Sequence, residues 1–153
     1  MAKPWPLVGR DEELRFVAAA LRSRTSPSGV VLAGTAGVGK TRLAREALRR
    51  TARPGSQIRW AYGTASARST PLGALEGLLG DLGPDPANVV RRAVENLGSP
   101  SGPRPLIAVD DAHELDELSA LVVHSLVVRD AATVLVTLRS GVQAPDEIGR
   151  AHV

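Results

Sequence analysis

Apolar residues first recur at helical spacing in RDEELRFVAAALR, where Leu14, Val17, Ala18 and Leu21 share one face. With Asp11, Glu12 and Glu13 complementing the first turn, the pattern predicts an amphipathic helix over residues 10–22. A polar loop, SRTSPSG, follows, and then VVLAG at 30–34, a continuous β-branched run that predicts a strand buried on both faces. KTRLAREALRR, from Lys40, returns to helical period with Leu43, Ala44, Ala47 and Leu48 inward.

QIRWAY at 57–62 predicts a second strand, TPLGALEGLLGDL at 70–82 a helix weakened by its glycines, and PDPANVVRRAVENLG a short helix ending at Gly98. SPSGPRP at 99–105 is too rich in proline and glycine to be anything but a loop. Beyond it LIAVDD at 106–111 predicts a strand that ends abruptly in two carboxylates, ELDELSALVVHSLVV a helix, and ATVLVTLR at 132–139 a further buried strand. No internal repeat is visible. Strands alternating with helices predict an α/β fold, a parallel sheet covered on both faces.

Composition narrows the chemistry. The 153 residues suffice for one domain, and no cysteine is present, which excludes disulfides, thiol catalysis and thiolate-bound zinc. The net charge of +3 comes mostly from dispersed arginines and names no partner. The longest apolar run, 121–128, is interrupted by His124 and Ser125 and is too short to span a bilayer; the N-terminus lacks the apolar core of a signal peptide, so the expectation is a cytoplasmic protein without a membrane partner. IGRAHV at 148–153 matches one reading frame of a common sequencing adapter. It is expected to be a non-native read-through tail, which leaves 1–147 as the domain.

GTAGVGKT at 34–41 satisfies G-x-x-x-x-G-K-[ST] and lies between a predicted strand and a predicted helix, the context a phosphate-binding loop requires. Glycines let backbone N–H groups converge on phosphate oxygens, and the following helix N-terminus adds partial positive charge. Gly34, Thr35, Ala36, Gly37, Val38, Gly39 and Lys40, with Thr41 and Arg42 at the helix start, are therefore the candidate nucleotide-binding residues. Lys40 would reach the β- and γ-phosphates, and the Thr41 hydroxyl would ligate Mg²⁺. At the end of LIAVDD, Asp110 is the candidate second magnesium ligand and Asp111 the residue that orients or deprotonates the attacking water. Thr137 and Arg139 end the last strand, where a polar group could sense the γ-phosphate; a solvated arginine is the competing reading of Arg139. His113 is expected to be solvated and His124 a hydrogen-bonded helix residue, while Trp60 and Tyr62 read as core or edge-strand aromatics.

LVGRDEEL, GTAGVGKT, LIAVDDAHELD and VLVTLRS, in this order, resemble the nucleotide-binding domain of the signal-transduction ATPases with numerous domains, the STAND group related to AAA+ proteins. Within it the chain is most similar to the N-terminal module of large ATP-binding LuxR-family transcriptional regulators. The resemblance implies a three-layer P-loop NTPase of the ASCE type, mainly parallel, with VLVTLR inserted between the two motif strands and the fold incomplete at the C-terminus. It places Val8, Gly9 and Arg10 against the adenine or ribose, makes Asp110 and Asp111 the Walker B pair, and puts Arg139 at a sensor position, so that Lys40, Asp111 and Arg139 are the catalytic candidates. ATP and Mg²⁺ are the implied cofactors; DNA would be met only through a C-terminal domain that this chain lacks, and the full-length protein could self-associate. An origin-recognition-like ATPase acting on DNA, a small metabolite kinase and a scaffold that has lost hydrolysis remain alternatives.

Overall fold

A computed structural model describes residues 10–23, 29–99, 102–143 and 145. Val8, Gly9 and the 148–153 tail lie outside these residues. The element order is α1 (Asp11–Arg22), β1 (Gly29–Gly34), α2 (Lys40–Thr51), β2 (Ile58–Tyr62), α3 (Ala65–Arg68), α4 (Val89–Leu97), β3 (Leu106–Asp110), α5 (Glu117–Val128) and β4 (Thr133–Arg139). All strand pairs are parallel and the sheet order is β1-β4-β3-β2, so the last strand does insert between β1 and β3.

Alternation along the strands sorts the core into two layers. Leu106, Ala108 and Leu135 join Leu14, Leu21, Leu43 and Leu48 of α1 and α2, whereas Ile107, Val109, Val134 and Val136 join Leu97, Val123 and Leu126 of α4 and α5. Because β3 and β4 face helices on both sides, every one of their apolar residues is buried, as a doubly covered parallel strand requires. Among the described residues no helix is long and apolar enough to cross a membrane.

Three sequence expectations need correction. β1 is only half-buried, because its place at the sheet edge depends on the order of strands rather than on its own residues. The helix expected over 70–82 does not form: after the four-residue α3, the chain turns through a 3₁₀ segment, Gly73–Leu75, with Leu72 at φ 59°. Burying Leu72 and Leu75 outweighs helical continuity there, and the Leu72 amide is claimed by Asp116 Oδ2 at 3.0 Å. The expected helix from Glu114 starts later, at Glu117, because Asp116 caps it by accepting from the Ser119 amide.

Gly63 closes the sheet end near the two carboxylates. Its amide donates to the Asp110 carbonyl at 2.8 Å, and a Cβ there would stand 2.1 Å from the Asp111 carbonyl oxygen. Gly63→Ala should therefore destabilise the fold by about 2 kcal/mol, read by urea unfolding. Gly77→Ala, where a Cβ meets nothing within 4 Å, serves as the neutral comparison.

Candidate functional site

The site begins where β1 runs out of partners. Gly34 lies opposite Arg139 in the ladder, and its carbonyl accepts from the Ser140 amide at 3.0 Å. The chain then leaves the sheet through residues 35–39 and re-enters helix at Lys40. That path needs left-handed backbone at Gly37 (φ 81°) and Gly39 (φ 86°), which glycine adopts without a Cβ penalty. No side chain caps α2, so the amides of its first turn remain available to a ligand. Thr35, Ala36, Gly37 and Val38 are exposed, as is Arg42.

Lys40 folds back over this loop. Its Nζ donates to the Gly34 and Thr35 carbonyls, both at 2.9 Å, which places the ammonium across the mouth of the glycine turn. Arg10, at the N-cap of α1, reaches the same loop from the opposite side by donating to the Val38 carbonyl, while Glu13 holds the rest of its guanidinium. The start of α1 and the glycine loop are thus joined through Arg10.

Beneath the loop stands a hydroxyl–carboxylate cluster that the sequence only half disclosed. Thr41 Oγ1 donates to the Asp110 carboxylate at 2.8 and 3.0 Å, and Thr137 Oγ1 donates to Asp110 Oδ1 at 2.6 Å. Thr137 also accepts from the Asp111 amide at 2.9 Å. One fully buried hydroxyl of β4 therefore fixes both carboxylate residues at the end of β3. The strand expected to include Asp111 ends at Asp110. Asp111 turns out of the ladder at φ 52°, and its exposed carboxylate leaves the sheet toward solvent.

Divalent cations with hard character take oxygen ligands, and Thr41 and Asp110 supply them. Their oxygens stand 2.8 Å apart, close to the separation of about 2.9 Å between adjacent vertices of an Mg²⁺ octahedron with bonds near 2.05 Å. Among the described residues no group of three or more His, Asp or Glu could hold an ion by itself. A magnesium here would take its remaining oxygens from phosphate and water, the usual pattern for this ion.

Of the two candidates at the end of β4, Thr137 meets the carboxylates, whereas Arg139 is exposed opposite Gly34 and, among the described residues, hydrogen-bonds at the site through its backbone. Its amide donates to His113 Nδ1 at 3.3 Å. His113 is consequently buried rather than solvated: the 3₁₀ turn Ala112–Glu114 after Asp111 rolls the imidazole under the strand end. His124 also departs from expectation, since its Nδ1 is buried without a hydrogen-bond partner among the described residues. Trp60 and Tyr62 are edge-strand aromatics as expected, stacked at 6.1 Å, but a basic group does accompany them, with Arg45 of α2 5.4 Å from the Trp60 ring. Fifteen residues separate that pair in sequence, so no local pattern betrays it.

One solved structure agrees with this architecture. The DnaC helicase loader shares the fold at a TM-score of 0.51 and 15% identity, over 96% of this chain and 80% of that one. A chain of the HORMA:CdnC:Trip13 complex of E. coli MS115-1 gives a TM-score of 0.48 at 17% identity, over 96% and 62% respectively. No curated protein matches the chain. A family model for the AAA ATPase domain matches residues 6–137, which takes in the glycine loop, both carboxylates and Thr137, and the chain belongs to that family.

Proposed function

We propose that this domain is a nucleotide-operated switch that binds Mg-ATP at residues 34–42 and resets by hydrolysis. The observation that carries the reading is the linked set Thr41, Asp110 and Thr137 beneath a glycine loop crossed by Lys40. Lys40 leaves the loop carbonyls for the β- and γ-phosphates, Thr41 and Asp110 take the magnesium as the Walker A and Walker B ligands, and Asp111 orients the attacking water. Arg139 reads the γ-phosphate from the neighbouring strand end. Val8, Gly9 and Arg10 close over the adenine or ribose, a position supported for Arg10 by its contact with the Val38 carbonyl.

Magnesium supplies charge neutralisation for the transferring phosphoryl group. Around it, this chain's own residues bind and orient: the loop amides hold oxygens, Lys40 holds a terminal phosphate, and Thr137 ties the Asp110 carboxylate and the Asp111 amide to β4. In Thr41→Ala the benefit of magnesium should disappear. ATP affinity measured calorimetrically with Mg²⁺ and with EDTA is expected to differ by about tenfold or more in the native chain and by less than about twofold in the variant. Equal magnesium dependence in both would remove Thr41 from the metal site.

On the larger scale, residues 1–147 form the STAND-type ATPase module of a LuxR-type transcriptional regulator in the cytoplasm, which meets DNA through a C-terminal domain and self-associates in the full-length protein. VGRDEEL upstream and DDAHELD downstream of the two motifs support this. Reading the coding sequence past residue 147 tests it. A downstream helix-turn-helix is the expected result, and its absence overturns the regulator assignment while leaving the nucleotide site untouched.

A further inference from the structure

The end of the sheet opposite the glycine loop carries a second concave surface. A cavity of about 310 Å³ opens where β3 and β4 begin, between the C-termini of α1 and α2, and Arg22, Arg53 and Arg104 line it together with Ser56 and Thr133. A neighbouring cavity of about 260 Å³ shares Ser56 and Arg104 with it and adds Arg59. The two adjoin as one groove through their shared residues, and among the described residues no carboxylate lines either part.

Helix ends offer an ordinary reason for arginine here, since the C-termini of α1 and α2 each present roughly half a negative charge. The magnitudes exceed that need. Four guanidinium groups face those two ends, the α4 C-terminus, whose Asn96 carbonyl accepts from Arg59, and Asp130, the carboxylate bridged to Arg104, which leaves a surplus of about 1.5 positive charges among the described residues. Three of the four are held in place: Arg22 by the Arg50 carbonyl at 2.8 Å, Arg59 by Gln57 Oε1 at 2.9 Å and the Asn96 carbonyl at 3.3 Å, and Arg104 by Asp130. Arg53 is exposed, and its guanidinium has no partner among the described residues. Fixed forks, one open fork and hydroxyl donors in a single trough suit a multiply charged anion with several oxygens, such as a phosphate, which accepts bidentate bonds from planar guanidinium groups and further bonds from hydroxyls.

We propose that this groove binds a chain of two or more phosphate groups, at a site distinct from the glycine loop and about 20 Å from it along the strands. A free polyphosphate-bearing molecule and the phosphodiester backbone of a single-stranded nucleic acid both present that chemistry. The site stands on its own arginines and does not depend on the nucleotide reading of residues 34–42.

The test uses the full chain in a Lys40→Ala background, so that the glycine loop contributes little. Inorganic tripolyphosphate and an oligothymidylate of about 12 nucleotides are titrated at low salt, with a glutamate oligomer of similar charge as the comparison. Binding of tripolyphosphate alone assigns a free phosphorylated ligand, and binding of the oligothymidylate assigns a nucleic-acid backbone. In either case Arg53→Gln and Arg59→Gln should each weaken the complex about tenfold, and for the oligonucleotide each should lower the salt slope by about 0.7. Amide chemical shifts are expected to move at Ser56 and Thr133. Binding of neither probe, native affinity retained in both arginine variants, shifts confined to residues 34–41, or equally tight binding of the glutamate oligomer would each overturn the proposal.

Discussion

Lys40→Ala should lose Mg-ATP affinity by about a thousandfold while the fold survives. The ammonium is set across the mouth of the glycine turn, and charge-assisted hydrogen bonds to two phosphates are worth about 1.5–3 kcal/mol each. Losing them amounts to about 4 kcal/mol, or three decades in the dissociation constant. Stability should change little. The Gly34 and Thr35 carbonyls that Lys40 now satisfies border exposed loop residues, where water replaces the ammonium. Calorimetric titration with a slowly hydrolysed ATP analogue, paired with a thermal melt, reads both quantities. Unchanged affinity would refute the phosphate role. The chain reserves lysine for this position: only two of its 19 basic residues are lysines. A slim ammonium on a flexible stem can turn from the loop's carbonyls to a phosphate, which a planar fork of five donors could not do in the same space.

Asp111→Asn should separate binding from turnover. Asparagine keeps the size of aspartate and tolerates left-handed backbone at least as well, so the φ of 52° and the amide bond to Thr137 persist. What disappears is the charge that accepts or aligns a proton of the attacking water, a contribution of about 100-fold or more. ATP affinity should stay within about threefold of the native value, since the metal-side oxygens of Asp110 are untouched. Steady-state phosphate release checks the rate and titration checks the affinity. A variant that hydrolyses ATP at the native rate would assign Asp111 to the turn alone.

What the sequence disclosed was what neighbours in sequence decide. The glycine loop and its flanking strand and helix are local patterns that lie where their residues predicted, and β3 stops one residue short of its expected end, at Asp110. Position within the sheet is not local, which is why the β-branched run of β1 read as doubly buried although it lies at an edge. Residues 70–82 carry a helical distribution of leucines, yet Gly73 packs so closely that a Cβ would stand 2.2 Å from the Ala67 carbonyl oxygen. A regular helix has no room for that approach. The burial of His113 and the carboxylate contacts of Thr137 escaped for the same reason. The buried imidazole depends on an amide 26 residues away, and the Thr137 hydroxyl bridges residues of another strand that only the β3–β4 pairing brings near.

The Arg45–Trp60 contact has an optical consequence. α2, which begins at Lys40, carries the arginine, while the edge strand carries the indole, so the two sides of the contact belong to different elements. Indole emission responds to nearby charge, and any displacement of α2 against β2 alters the field at Trp60. With Trp5 replaced by phenylalanine, Trp60 is the sole remaining tryptophan. The domain then carries an intrinsic fluorophore in contact with the helix that starts at its glycine loop, so that a shift of α2 on occupancy of that loop would be read without a label.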